Sequence, residues 1–251
     1  DIVEIETDAN TRWAITPDQL RAANAVSPLK GVLIASPANP SGTMMKPEAL
    51  ADLLECCREL GIRFISDEIY HGLTYPEETG IREATALEFS DEVIVINSFS
   101  KFFCMTGWRI GWMVLPENMV RPVERLAQSL YISPPELSQI AAFHALDGLD
   151  EMEAVRAGYT KNRALLLERL PKLGFDTILP IDGAFYAYAD VTRHTNDSME
   201  FAYKMLREAK VAATPGLDFD LERGHRFMRF SFAGEYATMV SALDRLDDWL
   251  K

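Results

Sequence analysis

Lys101 lies in a serine-rich turn, "NSFSKFFCMTGWRIGW" (97–112), directly after an apolar run, and Arg109 follows in the same segment. A lysine amine can act as a nucleophile or carry a proton, and a guanidinium can pair with an oxyanion; Ser98 and Ser100 lie in the same segment. Other polar groups sit at comparable places. "ASPANPSG" holds the Asn39 amide in a turn fixed by prolines and a glycine, and "SDEIY" offers Asp67 and Tyr70 at the end of another apolar run. Taken singly, each has a structural reading: a solvated lysine, a surface ion pair for Arg109, turn chemistry for Asn39, a helix cap for Asp67, packing for Tyr70. Taken together, they supply one donor or acceptor for each functional group of a single small cofactor.

The elements that carry these residues are legible from patterning. The runs "GVLIASP" (31–37), "IRFISDEI" (62–69) and "EVIVINSFS" (92–100) are apolar without alternation, as in parallel strands covered on both faces. Between the first two, "KPEALADLLECCREL" places Leu50, Leu53, Leu54, Cys57 and Leu60 at helical spacing, with Pro47 in the first turn and Gly61 at the end, completing a βαβ unit. "RIGWMVLP" follows Lys101 too closely for a helical crossover, which predicts an antiparallel neighbour. The fold class is α/β, a mixed, mostly parallel sheet in three layers with helices on both faces, and ligands belong at the carboxyl ends of its strands. The polar groups above emerge at that edge.

From about residue 117 the pattern changes. "SPPELSQIAAFHAL" predicts a helix capped by Ser133, a long helix runs up to Gly174, and "GAFYAYADV", a helix from Ser198, "RFMRFSFAG" and a closing helix form a smaller α+β unit. The predicted domains are 1–117 and 118–251. Alternation along "RFMRFSFAG" puts Met228, Phe230 and Phe232 on one face and Arg229 on the other.

Composition narrows the classes. The 251 residues are 48% apolar, enough for a sizeable core, and the net charge of −13 repels nucleic acid and anionic membrane surfaces. No apolar run reaches the roughly 20 residues of a membrane span, and "DIVEIETDAN" is acidic where a signal peptide is basic, so a cytoplasmic location is expected. Cys56, Cys57 and Cys104 form neither a disulfide framework nor a metal-ligand spacing and read as buried apolar side chains. The histidines are scattered, and no metal site is expected.

"SFSKFFCMTGWRIGW" resembles the pyridoxal-lysine signature of class I/II aminotransferases (fold type I, aspartate aminotransferase-like), a Ser-x-x-Lys run followed by Gly-x-Arg-x-Gly. "ASPANPSG" is similar to the family's Asn-Pro-[Thr/Ser]-Gly turn and "SDEIY" to its Asp-x-x-Tyr element, in the family's order; "DGAFYAYADV" and "TPGLDF" are weaker matches. The resemblance implies pyridoxal 5′-phosphate as cofactor. Lys101 would condense with its aldehyde and later shuttle a proton, and Asp67 would pair with the pyridine nitrogen. Tyr70 and Asn39 would hydrogen-bond the phenolic oxygen, and Arg109, Ser98 and Ser100 would hold the phosphate. Arg229 and Asn39 would bind the substrate, with Arg229 clamping its α-carboxylate; the competing reading of Arg229 is a solvated charge on a half-exposed strand.

The activity implied is transfer of an amino group between an L-amino acid and a 2-oxo acid by a ping-pong route, in a homodimer. A carbon–sulfur lyase on the same scaffold and a noncatalytic module of this fold stay open. Family members carry a long segment before the part resembling "ETDANTRWAITPDQL", so the chain is expected to be the C-terminal two thirds, with an incomplete large domain and a smaller C-terminal domain.

Overall fold

β1 (Gly31–Ala35), β2 (Arg63–Asp67) and β3 (Ile94–Ser98) pair in parallel, and β4 (Gly111–Val114) adds to β3 antiparallel, giving the order β1-β2-β3-β4. The computed structural model describes residues 2–251 and divides them into two compact units, one of 2–38 with 43–152 and one of 39–42 with 153–251.

In the first unit, α1 (Pro17–Val26) starts at a capping box in which Thr16 and Gln19 satisfy each other's backbone amides. α2 (Pro47–Leu60) starts on a proline and stops where Gly61 turns left-handed at φ 66°. Leu20 from α1 and Leu50, Leu53, Leu54, Cys56 and Cys57 from α2 pack on Phe64 and Val95 of the sheet and on Val93 just before β3. Each such leucine, taken out of water, stabilises the unit by about 2 kcal/mol. Because side chains alternate along a strand, the residues between them, Asp67 on β2 and Ser98 on β3, look out from the opposite face. The remaining helices of this unit are α3 (Pro76–Thr79), α4 (Glu117–Leu130) and α5 (Glu136–Ala145), the last packing Ala142 against Met105 and Ile110.

α6 (Leu149–Lys172) crosses from the first unit into the second. There β5 (Tyr186–Asp190), β7 (Phe227–Ser231) and β6 (Thr214–Pro215) form an antiparallel sheet in the order β5-β7-β6. α7 (Ser198–Lys204) and α8 (Tyr236–Trp249) complete the unit, whose core holds Leu166, Leu170, Met228, Phe230, Phe232, Leu243 and Leu246. Asn162 of α6 donates from Nδ2 to the carbonyls of Phe232 and Gly234 at 2.9 and 2.7 Å, fixing the end of β7 to the helix.

Three local expectations change. Strand β1 ends at Ala35, because Pro37 has no N–H to continue the ladder. Ser133 is not the cap of α5: Pro134 and Pro135 hold the preceding backbone extended, and the helix begins at Glu136. Cys56 and Cys57 are buried as expected, whereas Cys104 is exposed in the turn that follows Lys101, where its N–H donates to the Lys101 carbonyl at 3.1 Å. Among the described residues no helix is long and apolar enough to cross a membrane, and no cluster of three His, Cys, Asp or Glu side chains could hold a metal.

Candidate active site

The residues singled out in the first unit stand at one edge of the four-stranded sheet. Asp67 is the last residue of β2, paired with Ala35 on one side and Ile96 on the other, and its Oδ1 accepts from Ile69 N–H at 3.1 Å. Tyr70 follows in the same loop and is buried. The Lys101 amine stands 5.5 Å from the centre of the Tyr70 ring, a cation–π distance. The two loops interlock, since the Phe102 ring lies 2.6 Å from where a Cβ on Gly72 would stand, at a φ of +84° that suits glycine.

Ser98, Ser100 and Arg109 come together at the end of β3. The Ser98 hydroxyl accepts from Ser100 N–H at 3.0 Å and lies 2.9 Å from the Ser100 hydroxyl and 3.0 Å from the Ile110 carbonyl. Arg109, left-handed at φ 53°, donates from Nη1 to the Thr106 carbonyl at 2.9 Å, and the Thr106 hydroxyl donates to the Ser100 carbonyl at 2.8 Å. All three line one cavity of about 350 Å³, with Trp112 and Tyr131 on its wall. Two hydroxyls and an exposed guanidinium around such a space fit a phosphate. A larger cavity, about 750 Å³, lies beside β1 and is lined mainly by apolar side chains such as Ile5, Trp13 and Leu29. It contains none of the chemistry-bearing residues.

In the second unit Arg229 faces away from the apolar side of β7, as alternation requires, and is partly buried. It donates from Nη1 to Asn39 Oδ1 at 2.6 Å and from Nη2 to the Thr214 hydroxyl at 3.2 Å. Its guanidinium is stacked between Tyr186 and Phe219, 4.3 and 4.7 Å from their ring centres. The Nε is buried without a hydrogen-bond partner. A buried donor of this kind calls for an acceptor, which a carboxylate supplies. A guanidinium only donates, so the Asn39 amide must turn its oxygen to Arg229, which leaves Nδ2 as the donor of that side chain. Tyr188, the β5 partner of Arg229, has its phenol pushed up to about 12 by burial, with the Asp220 charge adding to the effect.

Thr106, Thr214, Tyr186 and Phe219 escape sequence reasoning. Thr214 meets Arg229 only through strand register, and no spacing in the chain announces it.

Residues 1–246 match the family model described as aminotransferase class I and II. The chain belongs to the class I and II aminotransferases. Its similarity to aminotransferases runs along its whole length. It is 44% identical to a valine–pyruvate aminotransferase of Mycobacterium tuberculosis, over 100% of this chain and 64% of that protein. It is 35% identical to a (5-formylfuran-3-yl)methyl phosphate transaminase of Methanocaldococcus jannaschii, over 88% of this chain and 58% of that protein. A crystal structure of an aminotransferase from Mycobacterium tuberculosis matches with a TM-score of 0.94 at 44% identity, covering 99% of this chain and 64% of that one. The chain thus spans somewhat less than two thirds of the aminotransferases it matches. The family's cofactor is pyridoxal phosphate, and the donor set above fits it: an amine, a carboxylate at a strand end, and a cavity with hydroxyls and a guanidinium.

Proposed function

We propose that this chain carries the cofactor-anchoring and substrate-binding residues of an aminotransferase that moves an amino group between an L-amino acid and a 2-oxo acid by a ping-pong route. One observation carries the reading: Lys101 stands over Tyr70 at the strand edge where Ser98, Ser100 and Arg109 line a single cavity. Bound pyridoxal 5′-phosphate supplies the electron sink for the pair left at the substrate Cα. Lys101 would anchor the cofactor, and once the substrate amine has displaced it, its free Nζ would take up the proton from that carbon. The Asp67 carboxylate would keep a proton on the pyridine nitrogen, because an adjacent negative charge favours the cationic ring. Tyr70 and Asn39 Nδ2 donate to the phenolic oxygen, and Ser98, Ser100 and Arg109 take the phosphate. Arg229 takes the substrate α-carboxylate. Its two hydrogen bonds and two ring contacts fix it in advance, so little side-chain entropy is lost on binding.

In this reading residues 1–117 belong to the cofactor-bearing domain, and 118–251 form an interdomain helix and a small domain. The protein works as a homodimer in the cytoplasm. Exposed Leu130, Leu137 and Phe143 on α4 and α5 favour a covered face there, and the free thiols agree with a reducing compartment. Light scattering that finds only monomers sinks the dimer. The relative named for valine and pyruvate makes that pair the first substrates to assay.

The deciding experiment is incubation with pyridoxal phosphate, borohydride reduction and peptide mapping. Label confined to Lys101 supports the assignment; label spread over surface lysines, or none, overturns it.

A further inference from the structure

The residue after Tyr70 is a histidine that none of these roles uses, and it ties the loop carrying Asp67 and Tyr70 to the neighbouring strand. His71 Nε2 lies 3.1 Å from the Ser36 carbonyl oxygen. A carbonyl only accepts, so Nε2 bears the hydrogen and donates it. Its other edge faces acid: Nδ1 is 3.3 Å from Glu68 Oε2 and 3.7 Å from Glu83 Oε1. Glu68 is only 3% exposed, and its Oε1 accepts from the Ser66 hydroxyl, the Thr85 hydroxyl and Ala86 N–H at 2.9, 3.1 and 2.9 Å. That carboxylate cannot turn without leaving three donors unsatisfied. Glu83 is tethered in turn, accepting from Gly72 N–H at 2.8 Å.

Ser36 spends both of its peptide groups on the same loop. Its N–H donates to the Asp67 carbonyl at 3.1 Å, and its carbonyl takes the bond from His71. The segment from Asp67 to His71 is therefore closed onto the end of β1 at both of its ends, while Glu68 N–H donates to the Ile96 carbonyl of β3 at 2.8 Å.

We propose that His71 is a positioning residue: the bond from its Nε2 to the Ser36 carbonyl clamps the Asp67–Tyr70 loop to the end of β1 and so holds the carboxylate and the phenol where the cofactor meets them. The inference rests on the cofactor reading given above for those two residues. It predicts which edge of the ring matters. Glutamine reproduces a donor at the Nε2 position and keeps the bond to Ser36, whereas asparagine reproduces only the Nδ1 position.

The test compares His71→Gln and His71→Asn with the wild type by amide hydrogen exchange over residues 67–73, and by the dissociation constant for pyridoxal phosphate read from cofactor absorbance. His71→Gln is expected within about twofold of wild type in both, and His71→Asn roughly fivefold to tenfold worse in both, the equivalent of one hydrogen bond. Should His71→Asn fail to fold, His71→Leu, which has no donor at either position, takes its place, with faster exchange of 67–73 expected. Equal behaviour of His71→Gln and the variant that lacks the Nε2 donor overturns the proposal. A wild type that binds no cofactor at Lys101 sinks the cofactor reading instead, and the exchange measurement then decides the clamp alone.

Discussion

Gly111→Ala tests how closely the site depends on the β3–β4 pairing. Gly111 stands opposite Ser98 in the antiparallel ladder, and a Cβ there would lie 2.7 Å from the Asn97 carbonyl oxygen and 3.4 Å from Ser98 Cα. Cβ contacts below 3.0 Å are essentially never seen, and the obstacle is backbone, which cannot swing aside as a side chain can. The strands must separate locally, and overpacking of this kind costs about 1 to 3 kcal/mol. With a urea dependence of roughly 1 to 3 kcal/mol per molar, the unfolding midpoint drops by roughly 1 M. Trp108 and Trp112, two of the four tryptophans, stand at this pairing and are 41% and 40% exposed, so tryptophan fluorescence follows the transition. The same movement displaces Arg109 from Ser98, so phosphate or pyridoxal phosphate affinity falls as well. Gly107→Ala is the control in the same loop, where a Cβ meets nothing within 4 Å. The reasoning fails if Gly111→Ala unfolds within 0.2 M or so of wild type, or if Gly107→Ala is equally affected.

Two further outcomes follow from the same geometry. Arg229→Lys cannot reach Asn39 and Thr214 at once while lying flat between Tyr186 and Phe219, so the apparent affinity for a monocarboxylate substrate should fall about tenfold or more while borohydride labelling of Lys101 persists; unchanged affinity removes Arg229 from the substrate site. Burial pushes the Cys57 thiol from 9.0 up to about 12, with the neighbouring Cys56 adding to it. A folded-state value above the unfolded one means stability is fully present below pH 9 and is lost as pH rises from 9 toward about 12, because the unfolded chain releases its proton first. Cys57→Ala should flatten that alkaline loss in urea titrations. An equally steep decline in the variant contradicts the assignment.

The legible part of this protein was the part written in short-range pattern. The βαβ unit from Gly31 to Asp67 follows from unbroken apolar runs, the helical spacing of Leu50, Leu53, Leu54 and Cys57, and Gly61 in the one conformation that stops a helix there cheaply. The antiparallel direction of β4 follows from a connection too short for a crossover. Ser133 misled because capping preference is a weak signal beside the backbone restriction imposed by Pro134 and Pro135. Cys104 misled because burial was judged from residue type, whereas a tight turn exposes whatever it carries.

By itself the sequence singled out polar groups at or just beyond strand ends, Asp67, Tyr70, Ser98, Ser100, Lys101 and Arg109 in one unit and Asn39 in the other, and Arg229 on the polar face of a strand. Only the tertiary structure decided how those groups are held. Thr214 and the rings of Tyr186 and Phe219 around Arg229, and Glu68, His71 and Ser36 around the Asp67 loop, are brought together by strand register and loop closure between residues far apart in the chain. The physical reason is range. Local propensity and periodicity act over a few residues, while a hydrogen bond that fixes a side chain is made with whatever the fold brings within about 3 Å.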